Sequence, residues 1–274
     1  MRLGNSVSAL GMNVGKGLVA LLCLGAVVLP SGPAAPAGGA LMLLALSGLL
    51  GICVGDTLYF LTLQRLGARL TLLLTTLVPV ATVVAAVVLL GERIGEWGWL
   101  GLALALAGVA YVLWERSPRQ HLRQRFVSGL CWGAAFILVE AAAILLTKVG
   151  VAELPALDAT LIRQAAALMG LAVWLAITRS FVRTMAPLND RRLLAILITG
   201  AVIGAFLGTW LSVLGLKYTY AAVAATLNAT SPLFVLPMAV LVLRETVSAR
   251  AVVGAVVAVG GVAVYFATLG GWSV

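Results

Sequence analysis

One stretch of this sequence occurs twice. Shifting residues 51–111 by 153 positions, with no gap, brings Gly51, Gly55, Pro79, Glu92, Gly101 and Gly108 onto Gly204, Gly208, Pro232, Glu245, Gly254 and Gly261. One proline, one glutamate and four glycines agreeing at a single offset mark an internal duplication. The fold must therefore be built from two copies of one unit.

Both copies consist of apolar runs about 20 residues long, enough to cross a hydrocarbon core. The chain is 62% hydrophobic and 10% charged, whereas a soluble domain carries about 25% charged residues. The expected fold is all-α: a polytopic transmembrane bundle of nine helices at 7–29, 39–63, 70–90, 97–114, 127–149, 159–178, 193–216, 221–243 and 251–268. The first run lacks a small-residue cleavage pattern and reads as a span that stays. The first repeat, 1–115, then holds four spans and the second, 127–269, holds five. Lys16 in the first span resembles Arg163 in the sixth, and nothing precedes the first span to match 127–149. The first repeat is thus expected to lack its opening helix, through loss or through a start site placed too late.

The net charge of +9 does not point to nucleic acid, because the basic residues sit in short loops between apolar runs. With the N-terminus in the cytoplasm, 13 arginines fall on inner loops, among them Arg116, Arg119, Arg123, Arg125, Arg179, Arg183, Arg191 and Arg192, against Arg93, Lys148 and Lys217 outside. The positive-inside rule then puts the N-terminus in the cytoplasm and, with nine spans, the C-terminus outside; the expected location is the cytoplasmic membrane. The spans holding Pro79 and Pro232 are five steps apart and cross in opposite directions. Inverted repeats of this kind support alternating access, with the substrate path at their interface.

The segments GDTLYFLTLQRLGA, LVPVATVVAAVVLLGERI and GWLGLALALAGVAYVL, repeated as ATLNATSPLFVLPMAVLVLRETV and VVGAVVAVGGVAVYF, resemble the EamA-type transporters of the drug/metabolite transporter superfamily. The resemblance covers nearly the whole chain. It implies two inverted five-helix halves, usually ten helices, and export of amino acids or other metabolites. Nine spans and an outer C-terminus depart from that pattern.

Charge inside a span is costly and usually faces an interior or a water path. Lys16, Asp56, Glu140 and Arg163 are therefore the candidate coupling residues for substrate or proton. Lys16 and Asp56 lie at similar depths and are expected to pair, as are Glu140 and Arg163; each pair reads either as a structural salt bridge or as a site. Leu138–Lys148 also resembles the first helix of the small multidrug resistance transporters. There a membrane-embedded Glu, with a Lys eight residues on, binds a proton or cationic substrate, and Glu140 and Lys148 have that spacing. Low dielectric disfavours the charged form of a carboxyl, which suits a proton-coupled cycle. Glu92 and Glu245 read as interfacial acids beside Arg93 and Arg244.

Pro79 and Pro232 each remove a backbone hydrogen bond inside a span, giving a kink or a cavity wall. Asn228, Gln164, Trp210 and Tyr59 complete the candidate lining. Gly51, Gly55, Gly204 and Gly208, in small-xxx-small spacing, are helix-packing positions. Gly11–Gly17 only superficially resembles a phosphate loop, being one spacer short and lacking the Ser or Thr. Cys23, Cys53 and Cys131 have no metal spacing, and no HExxH or GxSxG occurs; no metal or cofactor is expected. The partners expected are a small-molecule substrate and the bilayer, with a homodimer left open. The function expected is secondary transport of small metabolites, by efflux, not an enzyme activity. The alternatives are a membrane enzyme acting on a lipid-linked substrate and a non-transporting scaffold.

Overall fold

The computed structural model describes residues 8–90, 123–179 and 191–218, and isolated helical positions at 99–100, 103–104, 107, 256–257 and 260. Six stretches are long and apolar enough to span a membrane: Ala9–Ser31, Gly38–Gly67, Leu70–Leu89, Gln124–Gly150, Ala156–Thr178 and Leu194–Tyr218. They correspond to the first, second, third, fifth, sixth and seventh expected spans. Most of the fourth and ninth spans, all of the eighth, and Glu92, Asn228, Pro232 and Glu245 lie outside the described residues.

The helices are α1 Ala9–Val28, α2 Gly38–Ser47, α3 Asp56–Thr75, α4 Val78–Leu90, α5 Arg123–Gly150, α6 Ala156–Thr178, α7 Arg191–Gly200 and α8 Thr209–Tyr218. Lipid-facing side chains are left bare, with Leu22 73% and Ile177 77% exposed. Buried clusters tie the helices together. Leu70, Leu73, Leu74 and Val78 meet Phe136 and Ile137 of α5, while Val14, Ile52 and Cys53 meet Ala167, Leu171 and Leu175 of α6.

The third span departs from the continuous helix expected over 70–90. Its first turns belong to α3, which bends at Gly67 (φ 80°) and continues to Thr75. A turn at Thr76–Leu77 separates it from α4. Pro79 has no N–H to donate and its ring crowds the carbonyl four residues back, so the helix restarts around it. The Thr75 and Thr76 hydroxyls donate to the carbonyls of Leu72 and Leu73, at 2.6 and 2.7 Å, at the end of α3.

The duplication is visible in the backbone. Between α2 and α3 the chain makes a wide π-helical passage at Gly48–Gly55, and between α7 and α8 it makes another at Ala201–Gly208. Both ends of the two passages are related by the sequence offset of 153. Each closes alike: the Asp56 N–H donates to the Gly51 carbonyl, and the Thr209 N–H to the Gly204 carbonyl, five residues back.

The packing repeats with the partners exchanged. Helix α1 packs on Ala201–Gly208 and on α3, whereas α6 packs on Gly48–Gly55 and on α8. The equivalent helices run in opposite directions. The Ala34 N–H, beyond the end of α1, donates to Asp158 Oδ1 at the start of α6 (3.0 Å). Leu44, early in α2, packs beside Val213, late in α8. Two lysines clamp one end of the bundle, Lys148 Nζ donating to the Leu216 carbonyl (2.7 Å) and Lys217 Nζ to the Leu154 carbonyl (2.8 Å).

Candidate functional site

A cavity of about 620 Å³ opens between the helices of the two halves. Its walls come from α1 (Met12, Lys16), the first π passage (Gly51, Ile52), α3 (Asp56, Tyr59, Phe60), α5 (Glu140, Ile144, Thr147), α6 (Arg163), α7 with the second π passage (Ile196, Gly200, Gly204) and α8 (Thr209, Ser212). Small-molecule sites fall in roughly this size range, mostly apolar with a few convergent polar groups. All four charged residues singled out in the sequence border this one space.

Lys16 and Asp56 form the expected ion pair, with Nζ 2.5 Å from Oδ2. The ammonium also lies 5.3 Å from the centre of the Phe60 ring, a favourable cation–π position. Glu140 and Arg163 behave differently. Both border the cavity, yet no ion pair within 4.0 Å joins them, so the expected pair is a shared cavity rather than a salt bridge. Arg163 is 6% exposed, and its Nε has no hydrogen-bond partner.

The glycines of the first π passage give these groups room. A methyl carbon on Gly51 would stand 3.4 Å from Glu140 Oε2 and 3.5 Å from Arg163 Nη2, and one on Gly55 would stand 3.1 Å from Glu140 Oε2. A methyl on Gly48 would overlap the backbone carbonyl of Arg163. The small residues thus do more than bring helices together, because they let a carboxylate and a guanidinium lie against the backbone. In the second passage Gly204 borders the cavity and has open space where a methyl would go.

The first passage is held by a residue the sequence reading left aside. Asn13 is fully buried in α1; its Nδ2 donates to the carbonyls of Ile52 (2.7 Å) and Cys53 (3.3 Å) and to Thr57 Oγ1 (2.9 Å). A backbone carbonyl has two lone pairs, and in an apolar surround a buried side-chain donor can take up the second. The signal was an amide within an otherwise apolar run.

Among the other candidates, Tyr59 borders the cavity and its ring lies 5.6 Å from Phe136. Pro79 is buried at the start of α4 and does not border it. Gln164, next to Arg163 in sequence, is buried away from the cavity, its Nε2 donating to the Gly17 carbonyl at 3.3 Å. Trp210 stacks on Phe206 at 6.5 Å, away from the wall. No cluster of potential metal ligands occurs among the described residues.

A family model described as the EamA-like transporter family matches residues 1–114 and again 127–267. The chain belongs to that family. A solved structure described as "Crystal structure of protein" is similar over 96% of this chain and 90% of its own, with a TM-score of 0.71 at 18% identity, a likeness of fold. No curated protein matches the sequence. As an EamA-type member of the drug/metabolite transporter superfamily, this chain is a multi-pass membrane protein of a transporter family, and the cavity between its halves lies where such a protein would hold its cargo.

Proposed function

We propose that this protein is a secondary transporter that exports a small metabolite, an amino acid or related compound, across the cytoplasmic membrane by alternating access, coupled to protons through Glu140. The observation that carries this reading is the cavity between two antiparallel sets of helices, with Lys16, Asp56, Glu140 and Arg163 on its walls and a volume of about 620 Å³. Rocking one half against the other exposes such a site to each side in turn.

Lys16 and Asp56 neutralise each other and act as a strut between α1 and α3. Of the two acids on the cavity wall Glu140 is the one without an ion pair, and it faces Asp56, Arg163 and Lys16 across the cavity. Open to the outside, it takes a proton. Open to the inside, it gives that proton up as a cationic substrate group approaches. Proton and substrate then compete for one carboxyl, and exchange is obligatory.

The test has two steps. Metabolites in the medium of expressing and control cells are compared without a preset target, and any compound enriched by expression is offered to the purified protein in liposomes with an imposed pH gradient. Gradient-dependent movement of that compound supports the proposal. No enrichment, or movement equal to that of protein-free liposomes, removes it.

A further inference from the structure

The two halves hold equivalent cations with unequal partners. Lys16 in α1 and Arg163 in α6 both border the cavity, each on the helix that packs against the other half's π passage. Asp56, which neutralises Lys16, is the residue immediately after the first passage. The residue immediately after the second passage, 153 positions on, is Thr209. A hydroxyl therefore stands where the pseudo-symmetry calls for a carboxylate. No ion pair joins Arg163 to Glu140, its Nε has no partner, and it is 6% exposed. Glu140 and Asp56 act on Arg163 only across the cavity, not in contact; a buried cation without a contacting anion is costly, and this one borders open space.

We infer that Arg163 is the docking group for a carboxylate on the transported molecule, and that Thr209 marks the place this carboxylate occupies, as Asp56 does in the other half. The planar guanidinium offers a pair of parallel donors that matches a carboxylate. Lys16 does not serve, because Asp56 already holds it. The inference deepens the transporter reading by naming the group that the cavity recognises. It also assigns the two ends of a zwitterion, with the carboxylate on Arg163 and the ammonium toward Glu140.

The test needs no transport, so it can fail while that reading stands, and the reverse. In a background with Cys23, Cys53 and Cys131 replaced, Ser212→Cys puts a thiol on the cavity wall. Detergent-solubilised full chain is labelled with an anionic and a cationic methanethiosulfonate of similar size. Arg163→Gln should lower the anionic-to-cationic rate ratio by about tenfold, the scale of one unit charge roughly 10 Å away at an effective dielectric of about 20. Arg163→Lys should keep most of the ratio.

Acetate, isovalerate and benzoate should slow labelling and raise the melting temperature, where the matched amides do neither; Arg163→Gln should abolish both effects. The double substitution Lys16→Met with Asp56→Asn should keep them. Melting needs no reagent access, and the double substitution reports even where Arg163→Gln does not fold. A ratio unchanged by Arg163→Gln, amides protecting as well as carboxylates, no effect of any carboxylate, or loss of protection on neutralising the Lys16–Asp56 pair would each overturn the assignment.

Discussion

Gly48 lies flush against the backbone carbonyl of Arg163, with no room between them for a single added carbon. The first π passage and α6 meet there backbone to backbone, and the contact sets how deep Arg163 sits beside the cavity. Gly48→Ala should therefore cost stability at the upper end of overpacking changes, about 3 kcal/mol, seen as a lowered melting temperature of the purified protein. Gly25→Ala in α1, where an added methyl meets only Leu29 Cδ1 at 3.8 Å, should be neutral or mildly stabilising. Equal melting temperatures for the two variants would show that the close contact carries no weight.

A second prediction concerns Asn13. Its amide satisfies two carbonyls of the first π passage, at Ile52 and Cys53. Asn13→Leu keeps the approximate volume and removes the donor to the Ile52 carbonyl, at about 1–3 kcal/mol, while the Cys53 carbonyl still accepts from Thr57 Oγ1. Thermal unfolding should show the loss. Limited proteolysis should show new cleavage near residues 48–57 before it appears elsewhere. A variant as stable as the parent would mean the wide turn holds itself.

These two sites show what the sequence could and could not disclose. The duplication, the apolar runs and the four intramembrane charges were legible, because each depends on residue type and spacing alone. The π passages were not. Their glycines advertised close approach, but nothing in GLLGICVG distinguishes a wide turn from a regular one without the neighbouring Asn13. The Lys16–Asp56 pair could be read from depth along two spans. Glu140 near the middle of its span and Arg163 slightly nearer the outside were close enough in depth to expect a pair, and yet they share a cavity without one, because depth says nothing about the angle at which a side chain leaves its helix. The break before Pro79 was half legible: the proline announced an interruption, and the run of threonines that caps α3 decided that it would be a turn.

The Lys16–Asp56 pair yields a third prediction. Removing one member of a half-buried pair strands the other charge, while removing both does not. Lys16→Met or Asp56→Asn alone should lower stability by up to about 3 kcal/mol, and the double substitution should recover most of that loss. The melting temperatures of the four proteins form the cycle that measures it. Additive effects would show that the pair, 2.5 Å apart in the structure, contributes no coupling.

Orientation is the fourth prediction. The excess of arginines in the loops after the fourth and sixth spans places those loops in the cytoplasm. In a background without native cysteines, Ser117→Cys and Ser180→Cys should resist impermeant thiol reagents in intact cells and react after permeabilisation. Labelling of both from outside would reverse the orientation.

Glu140 gives the prediction closest to mechanism. Its carboxylate rests against Gly51 and Gly55 and shares the cavity with Asp56, Lys16 and Arg163. Glu140→Gln keeps the size and both hydrogen-bonding ends but cannot ionise. The variant should insert and fold, since no ion pair is broken. It should exchange substrate for substrate across liposomes only weakly, because that half-cycle moves no proton but the ammonium loses the carboxylate it binds. It should lose accumulation driven by a pH gradient, falling to the level of protein-free liposomes. Glu140→Asp keeps the charge but draws the carboxyl back by one methylene, away from Gly55, so coupling should persist with a displaced pH optimum. If Glu140→Gln accumulates substrate as well as the parent, the carboxyl is a packing group, and Asp56, the other acid on the cavity wall, becomes the one to neutralise.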